Sequence, residues 1–264
     1  MNRQVSWDGL RPLPLESEIV YGPLYSRRLD LSLGLNVLPT DYKACSFDCL
    51  YCHYGSTDLK SLHPPPNDFP SIHEVAAALE ARLRRSPALK SVTFSGNGEP
   101  TLHPHFRYLV LEVARLRDRL CPDVKLALFS NATTALQPEI QAALRHIDIP
   151  ILKLDAGDPE TFLKVNRPAP EVAFQTVVEG LKATPNLIVQ SVLINGPVSN
   201  VSDAAFEAWI ETLLKVQPAA VQIYSTDYPV LSADVQRVPP YVLRRLAARA
   251  EERLGVPVRP FWVD

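Results

Sequence analysis

The sequence has no apolar stretch approaching the roughly 20 residues that a membrane-spanning helix needs. Its first residues, Met1-Asn2-Arg3-Gln4-Val5-Ser6-Trp7-Asp8, lack the apolar centre of a signal peptide. It also lacks strong charge of either sign: 27 Lys and Arg stand against 29 Asp and Glu, a net of -2. That balance excludes the broad basic footprint of a dedicated nucleic-acid-binding domain, though not a local basic patch. Internal repeats and low-complexity tracts are missing. The 25 prolines are dispersed except at Pro64-Pro65-Pro66, which reads as a stiff connector. Cysteine is scarce, with four in 264 residues. With no secretory signal, that number points to a reducing compartment rather than a disulfide framework. What is there, 46% hydrophobic and 21% charged residues, is the composition of a globular protein. The expected location is the cytoplasm, and the length suits one large core, as a single α/β barrel or as two ordinary domains.

Three of the four cysteines fall within eight residues, in the string Cys45-Ser46-Phe47-Asp48-Cys49-Leu50-Tyr51-Cys52. Three thiolates on one short loop can grip three irons of a [4Fe–4S] cube. An electron carrier normally closes its cluster with four cysteines, so a set of three leaves one iron for a different ligand. A structural zinc site prefers four ligands. His53, the nearest candidate for a fourth, follows Cys52 too directly to wrap the same ion. Cys121 ends a helical run and precedes Pro122, and reads as a small, partly buried residue rather than a ligand.

From about residue 70 onward, helix and strand signals alternate. Ser71 and Glu74 have the spacing of a capping box, followed by Ile72, Val75, Ala76, Leu79 and Leu83 at helical spacing. A strand is expected at 91–95, a helix at 106–120, a strand at 125–129 and a helix at 138–145. A further strand follows at 151–155, and Asp158-Pro159 forms a helix start. Then come a helix at 171–182, a strand at 187–194, a helix capped by Ser202, a strand at 220–224, a helix at 241–254 and a short strand at 256–258. Strands about 30 residues apart with helices between them require parallel βαβ units. With a first strand at 31–37 the count is about six, which predicts an α/β fold: a curved, partly open (β/α)6 TIM-like barrel. The chain is read as one domain over 1–264. Residues 1–30 are an N-terminal extension packing against the barrel, about 31–230 its core, and 231–264 a C-terminal helix and tail.

In such barrels chemistry sits where the strands end. The first strand leads to Lys43 and the cysteine loop. The second ends in Gly96-Asn97-Gly98-Glu99, where glycines allow a close backbone approach and a carboxylate can accept from an ammonium group. The third ends in Ser130-Asn131, residue types that also cap helices. The fourth carries Lys153 and Asp155 on one face, as a buried ion pair or as ligand contacts. The fifth ends at Asn195-Gly196, and the sixth shows Gln222 and Tyr224 alternating. Basic residues on the first helix (Arg82, Arg84, Arg85) and the last (Arg244, Arg245, Arg249, Arg253) read mainly as solvated faces, with RNA phosphate contact as the alternative. Arg27 and Arg28 either meet an anionic substrate or anchor the N-terminal segment.

Cys-x3-Cys-x2-Cys with Tyr51 before its last cysteine resembles the radical S-adenosylmethionine (SAM) superfamily. Gly96-Asn97-Gly98-Glu99 resembles that superfamily's Gly-Gly-Glu motif with Asn97 inserted. The resemblance implies a [4Fe–4S] cluster on Cys45, Cys49 and Cys52, with SAM chelating the open iron. It also implies an external electron donor of the flavodoxin or ferredoxin type. Tyr51, Gly96, Asn97, Gly98, Glu99, Ser130, Asn131, Asp155 and Asn195 become the expected cofactor contacts. Arg27, Arg28, Lys43, Lys153, Gln222 and Tyr224 become the substrate candidates. Ser26-Arg27-Arg28, Ser32-Leu33-Gly34, Phe94 to Thr101 and Leu154-Asp155-Ala156 resemble a subgroup that includes relatives of the wyosine-base tRNA synthetase. This favours an RNA base as substrate, with tRNA as the partner. Those enzymes, however, carry a second cysteine set that this chain lacks, which argues against the wyosine reaction itself. The alternatives are a small-molecule or peptide substrate, or a non-catalytic iron–sulfur electron-transfer or sensor protein.

Overall fold

The computed structural model describes residues 13–85, 88–226, 230, 232 and 234–262. The extension expected over 1–30 is therefore described from residue 13, and its first twelve residues lie outside the described set. In chain order the elements are β1 (Val20–Ser26), β2 (Asp30–Asn36), β3 (Ala44–Cys45), β4 (Leu59–Lys60), α1 (Ile72–Leu83), β5 (Ser91–Ser95), α2 (Phe106–Leu120), β6 (Lys125–Ser130), α3 (Pro138–Leu144) and β7 (Ile149–Lys153). They continue as α4 (Pro159–Asn166), α5 (Phe174–Lys182), β8 (Ile188–Val192), β9 (Ile194–Asn195), α6 (Asp203–Val216), β10 (Ala220–Tyr224), β11 (Gln236–Arg237), α7 (Pro240–Leu254) and β12 (Val258–Phe261).

The helices start where local chemistry directs. Ser71 and Glu74 form a reciprocal capping box on α1. Asp158 and Ser202 accept from the Thr161 and Ala205 amides to open α4 and α6. Gly255 closes α7 in the left-handed conformation. In α2 the stripe Phe106, Leu109, Val110, Val113 and Leu116 is buried, as the 3.6-residue period requires.

Eight strands form one sheet in the order β1-β2-β5-β6-β7-β8-β10-β12. Every pairing is parallel except that of the β1 edge strand with β2. Parallel neighbours need crossover connections, and helices supply them. Six βα units result, with β12 added at the far edge. Because the order ends at β1 and β12, the barrel stays open, which is the partial TIM-like architecture expected from the alternation.

Register partners in parallel strands face the same side. Phe129, Ile151 and Ile188 therefore share the inner face, and Lys153, Gln190 and Gln222 form the next level. The outer face carries Leu33, Leu35, Val92, Phe94, Leu126, Leu128, Val189 and Ile223 into the core under the helices. Leu29, on the turn before β2, packs with Ala127 and Ile151 inside the barrel and closes its floor. No described helix is long and apolar enough to cross a membrane.

Some boundaries differ from expectation for identifiable reasons. β1 was not expected as a strand, because Gly22-Pro23 interrupts its alternation. Its register shifts between Tyr21 and Leu24, and Pro is tolerated there because this is an edge. β7 begins at Ile149, two residues earlier than predicted, because Pro150 disguises the start of the strand. Asp155 consequently lies beyond the strand end rather than on it. The stretch expected as one strand over 187–194 stops at Val192, and Ile194–Asn195 turns away to pair with β11.

Candidate cluster and cofactor site

The cysteine loop is suspended between two supports. On one side Ala44 N donates to Asn97 O (3.1 Å) and Glu99 N to Ala44 O (3.0 Å), tying the loop to the turn after β5. On the other, Asp48 N donates to Asn166 O and Leu50 N to Val165 O (both 3.0 Å), tying it to the end of α4. Gly98 makes the first support feasible. Its φ of +142° is glycine territory, and a Cβ there would lie 1.7 Å from Ala44 O.

These supports bring Cys45, Cys49 and Cys52 to one cavity of about 370 Å3 at the C-terminal ends of the strands. That is within the range of small-molecule sites. Its walls also include Lys43, Tyr51, Gly96, Gly98, Glu99, Ser130 and Asn131, and on the inner side Arg28, Lys153, Gln190 and Tyr224. Asn97, Asp155, Asn195, Arg27 and Gln222 are not among them. Asn97 is wholly buried and used as a brace, donating to the Glu16 and Pro39 carbonyls and accepting from Glu16 N. Asn195 is in the β9–β11 pair. Arg27 is exposed on the turn before β2, while Arg28 turns inward. A larger hollow of about 520 Å3 lies elsewhere, along His63, His103, His105 and Glu139, and none of the cysteines lines it.

Among the described residues no three His, Cys, Asp or Glu side chains are grouped closely enough to hold a single metal ion. The donor set fits an iron–sulfur cluster. Asn166 Nδ2 points at Cys49 Sγ (3.4 Å), Asn131 Nδ2 at Cys45 Sγ (3.6 Å), and Phe47 N at Cys45 Sγ (3.4 Å). Donors aimed at sulfur are the outer-shell contacts that tune iron–sulfur centres. Burial, and then Glu99, push the Cys45 thiol well up. Burial, with Asp155 next, pushes Cys49 to about 11. Loading iron therefore has to displace protons. Burial alone pulls Lys43 down, but the sulfurs of Cys52, Cys45 and Cys49 together hold it above its ordinary value. A cation thus stands beside the thiolates, with its Nζ donating to Gly55 O (2.6 Å).

Glu99 is almost wholly buried. Its Oε1 accepts from Thr101 N (3.1 Å) and Thr101 Oγ1 (2.6 Å), and its Oε2 from Asn131 N (2.5 Å). A carboxylate has about four acceptor positions, so one is left for a ligand. The Tyr51 hydroxyl donates to Asp155 Oδ2, which also accepts from Asn166 Nδ2 (2.7 Å), while Oδ1 accepts from Val192 N (2.7 Å). Burial and then Asp155 keep the Tyr51 phenol protonated. Lys153 Nζ lies 3.7 Å from Asp155 Oδ1 and 5.1 Å from the Tyr51 ring centre. Both readings of Lys153 and Asp155 therefore have a basis: they form a buried pair, and Lys153 also faces the cavity.

Sequence reasoning passed over Asn166 and Gln190. Asn166 ends α4, and its one local sign was an Asn just before Arg167-Pro168 at a helix end. Gln190 lies in the strand Ile188–Val192 next to Ser191, and only the register shows that it faces inward.

The cavity thus gathers three cysteines, a glycine-rich turn and small polar side chains at the mouth of a partial barrel. A model of the radical SAM superfamily matches residues 40–213. The chain belongs to that superfamily, whose members are enzymes that use a [4Fe–4S] cluster and SAM for radical chemistry. It is 31% identical over 167 residues to a UPF0026 protein of Methanocaldococcus jannaschii, spanning 62% of this chain and 49% of that protein. It is also 31% identical over 167 residues to a Brachyspira hyodysenteriae protein named GTPase Obg, spanning 63% of this chain and 23% of that protein. The chain thus spans less than half the length of these two relatives, and nothing of a GTPase carries over. A crystal structure of a radical SAM methyltransferase from Sphaerobacter thermophilus superposes with a TM-score of 0.62. It covers 88% of this chain and 66% of that one at 17% identity, a likeness of fold alone.

Proposed function

We propose that this chain is a radical SAM enzyme with one [4Fe–4S] cluster held by Cys45, Cys49 and Cys52, acting on a small molecule taken into the barrel. The observation that carries the reading is the convergence of three cysteines, the Gly96–Glu99 turn and Ser130-Asn131 on one cavity. When bound and reduced by an external flavodoxin- or ferredoxin-type donor, the cluster supplies one electron for cleaving SAM to methionine and a 5′-deoxyadenosyl radical. The chain's own residues do the rest. Gly96 and Gly98 expose backbone to the methionine end, and Glu99 offers its remaining acceptor position to the ammonium group. Ser130 and Asn131 face the ribose or carboxylate. Lys43 balances the charge of the thiolates. Cys121, at the end of α2, lies outside the cavity, which supports the reading of one cluster.

The expected RNA-base substrate finds little support on the outer surface. Arg249 pairs with Asp203 and Glu207, Arg253 with Glu207, and Arg84 and Arg119 with Glu80. Much of the basic helix charge is thereby neutralised by neighbouring carboxylates. The deciding experiment is anaerobic reconstitution followed by SAM and dithionite. 5′-Deoxyadenosine forms with the parent protein and is lost in Cys45→Ala, Cys49→Ala and Cys52→Ala. No 5′-deoxyadenosine from the iron-loaded parent, or its retention in Cys49→Ala, overturns the reading. A modified nucleoside missing from the tRNA of a deletion strain would return the substrate to RNA.

A further inference from the structure

The inner end of the cavity has more cationic and donor capacity than the described residues satisfy. The Arg28 guanidinium enters from the turn that precedes β2 and lies between two rings, 5.0 Å from the Phe129 centroid and 4.9 Å from that of Tyr224. Stacking satisfies its faces but not its N–H edge. Nη1 is buried and has no hydrogen-bond partner among the described residues. A buried charged donor in that state costs more than almost any other polar group left unpaired.

Two neighbours share the condition. Gln190 is buried, lines the cavity, and its Nε2 has no partner. Lys153, in register with Gln190 on the next strand, has a 3.7 Å ion pair with Asp155. That carboxylate already accepts from Tyr51, Asn166 and Val192, so it cannot neutralise both cations. Glu99, the acidic residue among those lining the cavity, has three acceptor positions taken by Thr101 and Asn131, and its fourth is the one assigned above to the ammonium group. One strand further, Gln222 Oε1 is a buried acceptor without a partner, in register with Gln190.

We propose that Arg28, Gln190 and Lys153 form an oxyanion subsite in the barrel interior, and that the substrate is a small molecule bearing a carboxylate or phosphate there. The assignment to substrate rests on the proposed function. Lys153 stands over Tyr51 on the side of the cysteine loop, whereas Arg28 reaches in from the turn before β2, at the opposite end of the strands from that loop. Arg28 supplies the planar edge that matches an oxyanion, and Gln190 a neutral donor. Gln222 adds an acceptor for a hydroxyl or amino group carried next to the anion. A polymer backbone does not reach a guanidinium stacked between two rings inside a barrel, so a small acid is favoured over RNA.

The test is a titration of the reconstituted, SAM-saturated protein with inorganic phosphate and, separately, with glycerate, following thermal stability at ionic strength fixed with chloride. One of the two is expected to raise the melting temperature saturably, and which one identifies the anion as phosphate or carboxylate. Arg28→Gln should weaken that binding about tenfold or more. Gln190→Glu is the second variant. It is close in shape and places a carboxylate against both cations, so it should fold at least as well and still lose the response. If neither anion acts beyond chloride, or if both variants respond like the parent, the proposal fails. It fails also if saturating SAM abolishes a response that the SAM-free protein shows, since Arg28 would then serve the cofactor. Failure to assemble a cluster would instead overturn the proposed function, and the same titration on the iron-free chain would still decide whether Arg28 binds an anion.

Discussion

Replacing Asp155 with alanine removes an acceptor on which four parts of the fold converge. Its side chain is fully buried and faces Lys153, whose own side chain is 17% exposed. The substitution would leave the Tyr51 hydroxyl, Asn166 Nδ2, Val192 N and the Lys153 ammonium without their shared partner. Each orphaned donor costs about 1–3 kcal/mol, but donors in one network do not add. The dominant loss is that of a buried ion pair broken from one side, about 3–5 kcal/mol. Against a total stability of about 5–15 kcal/mol, that is a large fraction. Urea unfolding of the iron-free chain measures it, followed by Trp209 fluorescence. Trp209 is buried and its Nε1 donates to Leu154 O, next to the site (2.9 Å). Adding Lys153→Met to Asp155→Ala should recover about 2 kcal/mol or more, because the uncompensated ammonium is gone. Asp155→Ala within about 1 kcal/mol of the parent, or a double variant less stable than Asp155→Ala alone, would refute the account of this network.

Gly98→Ala should lower the melting temperature and iron uptake together, because the new Cβ meets Ala44 O at 1.7 Å. Gly255→Ala, also at positive φ but with nothing within 4 Å, should cost only about 1–2 kcal/mol and leave iron uptake intact. Burial holds His103 below its ordinary pKa, its Nε2 bonded to Pro70 O and its Nδ1 accepting from His105 N. The unfolded chain therefore binds the proton more readily. The contribution of His103 is complete above about pH 6.5 and is lost as pH falls through the lower folded value. His103→Gln should flatten that part of a stability-versus-pH profile. Asn166→Leu removes the donor at Cys49 Sγ and should move the cluster's reduction potential to a more negative value in an EPR-monitored redox titration, and an unchanged potential would deny Asn166 that role.

The framework was legible wherever its cause is local. The capping box of α1, the caps Asp158 and Ser202, and the buried stripe of α2 follow from sequence spacing, and the βα alternation led to the open barrel. β1 was hidden because Gly22 and Pro23 break its alternation, and only pairing with β2 makes it a strand. The cysteine loop and the Gly96–Glu99 turn could be read because iron chemistry and close backbone approach restrict the residue types allowed. Asn166, Gln190 and the inward turn of Arg28 could not. Asn166 meets Cys49 and Tyr51 from 117 and 115 positions away, Gln190 aligns with Lys153 across a strand pair, and Arg28 meets the rings of Phe129 and Tyr224, and only the folded register brings them together. Asn97 shows the converse. It sits inside a recognisable motif, yet its side chain braces Glu16 and Pro39 rather than facing the cavity.

The central claim is that three thiolates leave one iron open and that SAM takes it. The most direct measurement is the EPR spectrum of the dithionite-reduced, reconstituted protein before and after SAM is added. A SAM-dependent change in the cluster signal of the parent protein is the predicted result. A normal cluster whose spectrum is indifferent to SAM would contradict the claim and mark the protein as an iron–sulfur electron carrier or sensor.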